Sequence, residues 1–239
     1  MSGHSKWATI KRAKATTDAR RGAAFTRLLR EIAVAAKEGG GSIESNFRLR
    51  LAVDKARAAN MPKDNIERTI NRVTGQGGEG EIYEELMYEG YGPAKVPFMI
   101  QVLTDNRNRS NSDVRKVLTK AGGIMGESGT VGWQFNRKGY IVVDRKGTNY
   151  DAVFEVALEA GAEDIKDGEE SFEVITEVEN LRAVREALTA KKMNVTTAEI
   201  TYLPTTSSEV SEAEMERVAA AVEALEELDD VQQVYTNLS

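Results

Sequence analysis

The chain has 239 residues, 41% of them hydrophobic and 29% charged, with a formal net charge of −6; these are ordinary values for a globular protein of two or three small domains. It contains no cysteine and one histidine, His4, which excludes a disulfide framework, thiolate chemistry and a Cys/His zinc site, and leaves a Ser-His-Asp triad only a residue near the terminus. No apolar run approaches the roughly 18–20 residues that span a bilayer, and the start Met1–Trp7 lacks an apolar signal core, so a cytoplasmic protein without membrane contact is expected.

The net charge hides a partition. Residues 1–74 hold 16 Lys+Arg against 7 Asp+Glu, a net of +9, and the remainder holds 16 against 31, a net of −15. Such a chain has one end suited to a polyanion and an acidic body. The first segment reads as all helix. Thr17 is a candidate N-cap, followed by Phe25, Leu28, Leu29, Ile32 and Ala36 at helical spacing, and Gly39-Gly40-Gly41 stops the run. A second helix is expected from about Glu44 to Ala59, with Phe47, Leu51, Ala52 and Ala56 on one face. Asn60-Met61-Pro62 breaks it, and Asp64-x-x-Glu67 has the form of a capping box opening a third. The glycine-rich stretch Gly75–Gly80 reads as a linker and domain boundary.

Beyond it the period shifts towards strands. Tyr83–Tyr91 and Val96–Thr104 flank a turn at Gly92-Pro93; Ser110-x-x-Asp113 starts a helix; a flexible glycine-rich loop, Gly122–Gly129, leads to a strand at Thr130–Phe135. Next come a strand at Tyr140–Asp144, a helix capped by Thr148-x-x-Asp151, and strands Ala162–Lys166 and Ser171–Thr176 joined by Asp167-Gly168. A helix capped by Thr176-x-x-Glu179 and a strand at Asn194–Leu203 complete β-α-β-β-α-β, the ferredoxin-like order. A last helix opens at Ser211-x-x-Glu214, and Val231–Thr236 is a strand. The expected fold is therefore α+β in three domains. Residues 1–74 form a basic all-helical domain. Residues 82–135 with 205–239 form a discontinuous α/β domain. Residues 139–204 form a ferredoxin-like α/β domain inserted in it.

Candidate phosphate contacts concentrate at the basic end. Lys6, Lys11, Arg12 and Lys14 surround Trp7; cations beside an aromatic ring pair with phosphates while the ring stacks on a base. Large aromatics usually end buried, and an anchoring role for Trp7 is the alternative. Arg20, Arg27 and Arg30, with Arg21 at the edge, project away from the apolar stripe, and Asp18 is the one acid between Thr17 and Arg30. Such a face neutralises backbone charge and reads no sequence by itself. Asn106, Arg107, Asn108 and Arg109 lie between a strand and a helix start, a second place for an anion, unless Asp105 and the arginines pin the loop internally. The tail acids Glu223, Glu226, Glu227, Asp229 and Asp230 read as a solvated face, since no oxygen-ligand loop of the calcium type surrounds them. No phosphate-binding loop, dinucleotide fingerprint, nucleophile–base pair or cofactor motif is present, so no catalytic residue, cofactor or metal is expected.

Several motifs together resemble the YebC family. They are Gly3-His4-Ser5-Lys6-Trp7 with Ile10-Lys11 and Lys14; Phe25-Thr26-Arg27-Leu28 with Arg30-Glu31-Ile32; Asn60-Met61-Pro62; Tyr88–Pro93; Leu103–Arg109; Gly161–Asp164; and Leu228–Asn237. The resemblance spans essentially the whole chain, although Gly92-Pro93-Ala94-Lys95-Val96-Pro97 carries fewer glycines than the family's turn. It implies a three-domain cytosolic protein described as a DNA-binding transcriptional regulator. It also brings in members that activate mitochondrial translation of cytochrome c oxidase and members linked to the ribosome at consecutive prolines. The expected function is a non-enzymatic nucleic-acid-binding regulator of gene expression, on DNA or on ribosomal RNA and the ribosome. The basic residues suit backbone contacts, and no recognition helix with arrayed Asn or Gln is evident. An enzyme acting on phosphorylated metabolites through Arg107 and Arg109, and a small-ligand domain at 139–204, are the other readings.

Overall fold

The computed structural model describes residues 18–75 and 83–238. The chain divides into two compact units, residues 1–134 with 204–239, and residues 135–203.

The first unit begins with three helices, α1 (Asp18–Gly39), α2 (Phe47–Ala58) and α3 (Lys63–Thr74). The periodic apolar positions of α1 do what their spacing demands. Ile32, Ala35 and Ala36 are buried against Leu49, Ala52, Val53, Ala56, Ile66 and Ile70, with Phe25, Leu28 and Leu29 packed on the edge. Gly40 ends α1 in the left-handed region, φ 83°. Asn46 then serves two helices. Its Oδ1 accepts from Leu49 N at 3.0 Å, capping α2, while its Nδ2 donates to the carbonyls of Ala35 and Gly40 at 2.7 and 2.8 Å. The capping box expected at Asp64-x-x-Glu67 is not made. Pro62 precedes α3 without a side-chain cap, which places Asp64 inside the first turn.

The same unit continues with β1 (Glu84–Tyr91), β2 (Pro97–Thr104), α4 (Arg107–Lys120), β3 (Ile124–Met125), and, after the excursion into the second unit, α7 (Glu212–Glu226) and β8 (Val231–Thr236). The sheet order is β3-β1-β2-β8, with antiparallel pairing throughout. Helices α4 and α7 pack on it through Val114, Leu118, Val218, Val222 and Leu225, against Phe98, Ile100 and Val102 of the central strand. Ser211 and Glu214 form a complete capping box on α7, with Ser211 N donating to Glu214 Oε2 at 2.9 Å.

Two expectations fail here. Thr130–Phe135 is not a strand: residues 132–134 form a 3-10 turn, and the third strand is the two-residue β3. Nor is Gly122–Gly129 a loose loop. Gly126 N donates to Glu89 O at 2.8 Å, and the buried Glu89 carboxylate accepts from Gly129, Val131 and Gly132 N at 2.9, 2.8 and 2.7 Å. Burial alone would raise the pKa of Glu89; the three backbone N–H groups outweigh it and hold the carboxyl below its usual range.

The second unit is β4 (Phe135–Asp144), α5 (Tyr150–Glu159), β5 (Ala162–Asp167), β6 (Ser171–Thr176), α6 (Leu181–Ala190) and β7 (Val195–Pro204), with sheet order β5-β6-β4-β7. This is the ferredoxin-like β-α-β-β-α-β arrangement, carried as an insertion. Ile141, Val143, Phe172 and Val174 alternate inward along their strands and are fully buried, as are Val153, Leu181, Val184 and Leu188 of the covering helices. Here too the caps differ from expectation. Asn149, not Thr148, caps α5 through Ala152 N at 2.9 Å. The Thr176 hydroxyl donates to Glu177 O at 2.6 Å instead of capping α6.

Candidate nucleic-acid interface

Lys6, Trp7, Lys11, Arg12 and Lys14 lie outside the described residues, and so do the side chains of Arg20 and Arg21, although both belong to α1. Arg27 and Arg30 point away from the α1 core, as the helical spacing requires, but they do not face solvent freely. Arg27 Nη1 donates to Glu226 O at 2.6 Å. Arg30 donates to Asp229 O and pairs with Asp230 Oδ1 at 2.9 Å, its side chain 15% exposed, its guanidinium 5.6 Å from the centre of the Tyr83 ring. The basic face of α1 is thus met by the acidic end of α7 and the turn after it.

Asp230 is the centre of this contact and corrects the reading of the tail acids as solvated: its side chain is 9% exposed. Its Oδ2 accepts from the Ser110 hydroxyl at 2.6 Å, the Thr104 hydroxyl at 3.1 Å and Arg109 Nη2 at 2.9 Å. Burial would raise its pKa; the Ser110 bond, then Arg109 and Arg30, hold it below the ordinary 3.8. Arg109 also pairs with Asp105 at 2.6 Å. Hydrogen bonds to Asp230 and Asp105 raise its pKa above the ordinary value. Of the four residues singled out at this strand–helix junction, Arg109 is committed internally. Asn106 caps α4 through Arg109 N at 3.1 Å. The side chains of Arg107 and Asn108 remain exposed.

A cleft of about 520 Å³ adjoins this network, lined by Arg30 and Arg109 and by Asp105, Asp113, Glu227, Asp229 and Asp230. The acids outnumber the arginines, a charge balance unfavourable to a phosphate in the cleft. Among the described residues no group of three or more His, Asp or Glu side chains is placed to hold a metal ion, and no helix is long and apolar enough to cross a membrane.

Sequence reasoning missed a different surface, the outward side of α4. Ser110, Val114 and Leu118 are buried. At about 100° per residue the opposite side carries Asn108, Ser112, Arg115, Lys116, Thr119 and Lys120, all exposed. Among the described residues Arg107, Arg115, Lys116 and Lys120 are not ion-paired. The helix has one acid, Asp113, and it faces the cleft. The neighbouring α7 is the reverse, with Glu212, Glu214, Glu216, Glu223 and Glu226 against Arg217. The signal that could have found this face is Asn106, a good N-cap three residues before Arg109; starting the helix at Ser110 left Asn108 outside it.

The family model for the TACO1/YebC protein N-terminal domain matches residues 5–76, and that for the TACO1/YebC second and third domain matches residues 83–238. The chain belongs to the TACO1/YebC family. Curated relatives agree over nearly their full length. A "probable transcriptional regulatory protein" of Trichlorobacter lovleyi is 51% identical over 99% of this chain and 95% of its own. Another of the same name, from Desulfosudis oleivorans, is 48% identical over 100% and 97%. The crystal structure of a conserved hypothetical protein from Aquifex aeolicus, 46% identical, superposes with a TM-score of 0.84 over 95% of this chain and 93% of that one. A regulatory role is thus the shared description of the curated TACO1/YebC relatives.

Proposed function

We propose that the protein is a non-enzymatic regulator of gene expression that binds nucleic acid through the phosphate backbone. The observation that carries this reading is the partition of charge, a net of +9 over residues 1–74 against −15 over the rest. Phosphates reward such a cationic segment through counterion release, and the acidic body keeps the polyanion from spreading over the whole surface. Because Arg27 and Arg30 are held by Glu226, Asp229 and Asp230, the contacts fall to Lys6, Lys11, Arg12, Lys14, Arg20 and Arg21, with Trp7 beside them. The test is binding of the full chain to labelled duplex DNA across a salt series. Replacing Lys6, Lys11, Arg12 and Lys14 by alanine is expected to flatten the dependence of log K on log salt by about one unit per lost contact. Unchanged affinity and slope would refute the reading.

A second reading, a translation factor on ribosomal RNA, is favoured by Trp133. Its indole is 70% exposed on the segment that Glu89 holds in place, a flat surface for an unpaired base. Sedimentation of lysate through sucrose at low and high salt, with and without RNase, separates the two. Salt-sensitive migration with ribosomes that RNase abolishes supports RNA, and migration only at the top of the gradient supports DNA.

A further inference from the structure

We propose that the outward face of α4 is a second nucleic-acid contact and that it enters the major groove of duplex B-form DNA. The inference rests on the reading of the protein as a nucleic-acid-binding regulator, and adds to it a site, a groove and a form of duplex.

Folding does not explain the face. The first turn of α4 has no acid, although an acid there would complement the helix dipole, and Arg107 stands in its place unpaired. Lys116 and Lys120 are four residues apart, a like-charge spacing that costs helix stability. No acid lies three or four residues from Arg115 in either direction. Lys120 suits the last turn and Asp113 lies three residues before Lys116, but Arg107 in the first turn and Arg115 without a neighbouring acid are not explained by the helix itself and point to an external anion.

The chemistry between the charges is that of base edges. Arginine and lysine suit the O6 and N7 acceptors of guanine, asparagine the N6 and N7 of adenine, and serine and threonine either. Asn108, Ser112, Arg115 and Thr119 alternate along one exposed side, flanked by Lys116 and Lys120 at the reach of the backbone. The helix has 14 residues, a length of about 21 Å, and a helix about 10–12 Å across enters the roughly 12 Å major groove of B-form DNA. The major groove of A-form RNA is too narrow and deep for it. Beside it the glutamates of α7 repel phosphate, so the duplex is confined to the α4 side.

The test uses the full chain and fluorescence anisotropy with DNA and RNA duplexes of roughly 30 bp, between about 50 and 200 mM salt. The triple variant Arg115→Ala, Lys116→Ala, Lys120→Ala is compared with Lys146→Ala, Lys166→Ala, Lys191→Ala, which removes the same charge from exposed lysines of the second unit. All these positions are exposed, and thermal melts confirm that both variants fold. The expected result is a loss of DNA affinity of about tenfold or more in the α4 variant, with the salt slope reduced by about two to three, and little change in the control. RNA-duplex binding is expected to be equal in the two variants. If the wild type binds DNA and the α4 variant binds it with unchanged affinity and slope, the α4 site is overturned and the proposed function stands. If DNA and RNA binding fall together in the α4 variant, the groove assignment is overturned. If the wild type binds neither duplex, both proposals fail.

Discussion

Replacing Asp230 by asparagine keeps its shape and removes its charge, so it isolates the electrostatic part of the contact between α1 and the end of α7. Asp230 Oδ1 is 2.9 Å from Arg30, whose side chain is 15% exposed, and Oδ2 collects Ser110, Thr104 and Arg109. The variant leaves Arg30 nearly buried without a counter-charge and turns an amide N–H towards at least one donor. Breaking a buried pair from one side costs about 3–5 kcal/mol. Because the Arg109 side chain is 45% exposed and recovers water, the low end applies, about 3 kcal/mol. For a unit of this size that is a loss of roughly 6–12 °C in melting temperature. The assay is urea unfolding followed by far-UV circular dichroism, repeated from pH 7 downwards. The folded-state pKa of Asp230 lies below its ordinary 3.8, so its stabilisation is present above that value and is lost as pH falls through the folded pKa. The difference between wild type and variant is therefore constant from pH 7 to about 5 and closes below about 4. A difference under about 0.5 kcal/mol at pH 7, the size of a surface pair, or one that persists at low pH, would refute the assignment of Asp230 as a buried, charged anchor.

Glu89→Gln removes one of the two acceptor oxygens that serve Gly129, Val131 and Gly132 N; a loss of about 1–3 kcal/mol is expected, with faster hydrogen exchange confined to residues 126–132. The Glu89 pKa is lowered, so wild-type protection of that segment is kept above the unfolded carboxyl pKa and lost as pH falls through the folded one. Asn46→Ala removes the cap of α2 and the donor to Ala35 and Gly40 carbonyls; about 2–4 kcal/mol is expected from chemical unfolding, and a loss under 1 would refute the shared-cap reading. Ala94 and Lys95 lie in the left-handed region, φ 56° and 59°. Ala94→Gly and Lys95→Gly are each expected to be neutral or stabilising by up to about 1 kcal/mol in the same assay, and a clear destabilisation would refute that.

What could be read from the sequence was local. The stripe of Phe25, Leu28, Leu29, Ile32 and Ala36 is set by the period of one helix, and it packs as one face. Ser211 and Glu214 sit three residues apart, within reach of each other before any tertiary contact forms, and their capping box is made. The order β-α-β-β-α-β followed from alternating periods and the Asp167-Gly168 turn, where Gly168 N donates to Ser171 O at 3.0 Å. Strand β3 was not legible, because two residues carry no period; Ile124 and Met125 are extended only because β1 offers Tyr91 and Gly90 as partners. The Arg27–Glu226 contact joins residues 199 apart, a separation over which no pattern in the chain speaks.

That distant contact changes what the charge partition means. A basic segment and an acidic tail in one chain have two ways to lower their energy, by binding external ions or by meeting each other, and the second is used where α1 meets the end of α7. The tail meets the cations that stand over it, Arg27 donating to a carbonyl at the end of α7 and Arg30 pairing with a buried carboxylate; away from the tail, Arg48 bridges Glu38 and Glu85 at 2.6 Å each. These cations join the helices to the sheet within one unit. Of the α4 cations, Arg109 is paired with Asp105 and Asp230, whereas Arg107, Arg115, Lys116 and Lys120 have no such partner among the described residues; the one acid of that helix is turned into the cleft, and the acids of α7 belong to another helix. A positive charge that folding leaves uncompensated, on a helix whose other side is fully committed to the core, is more informative about a ligand than the larger positive charge of residues 1–74, because there part of the excess is already consumed by the protein itself.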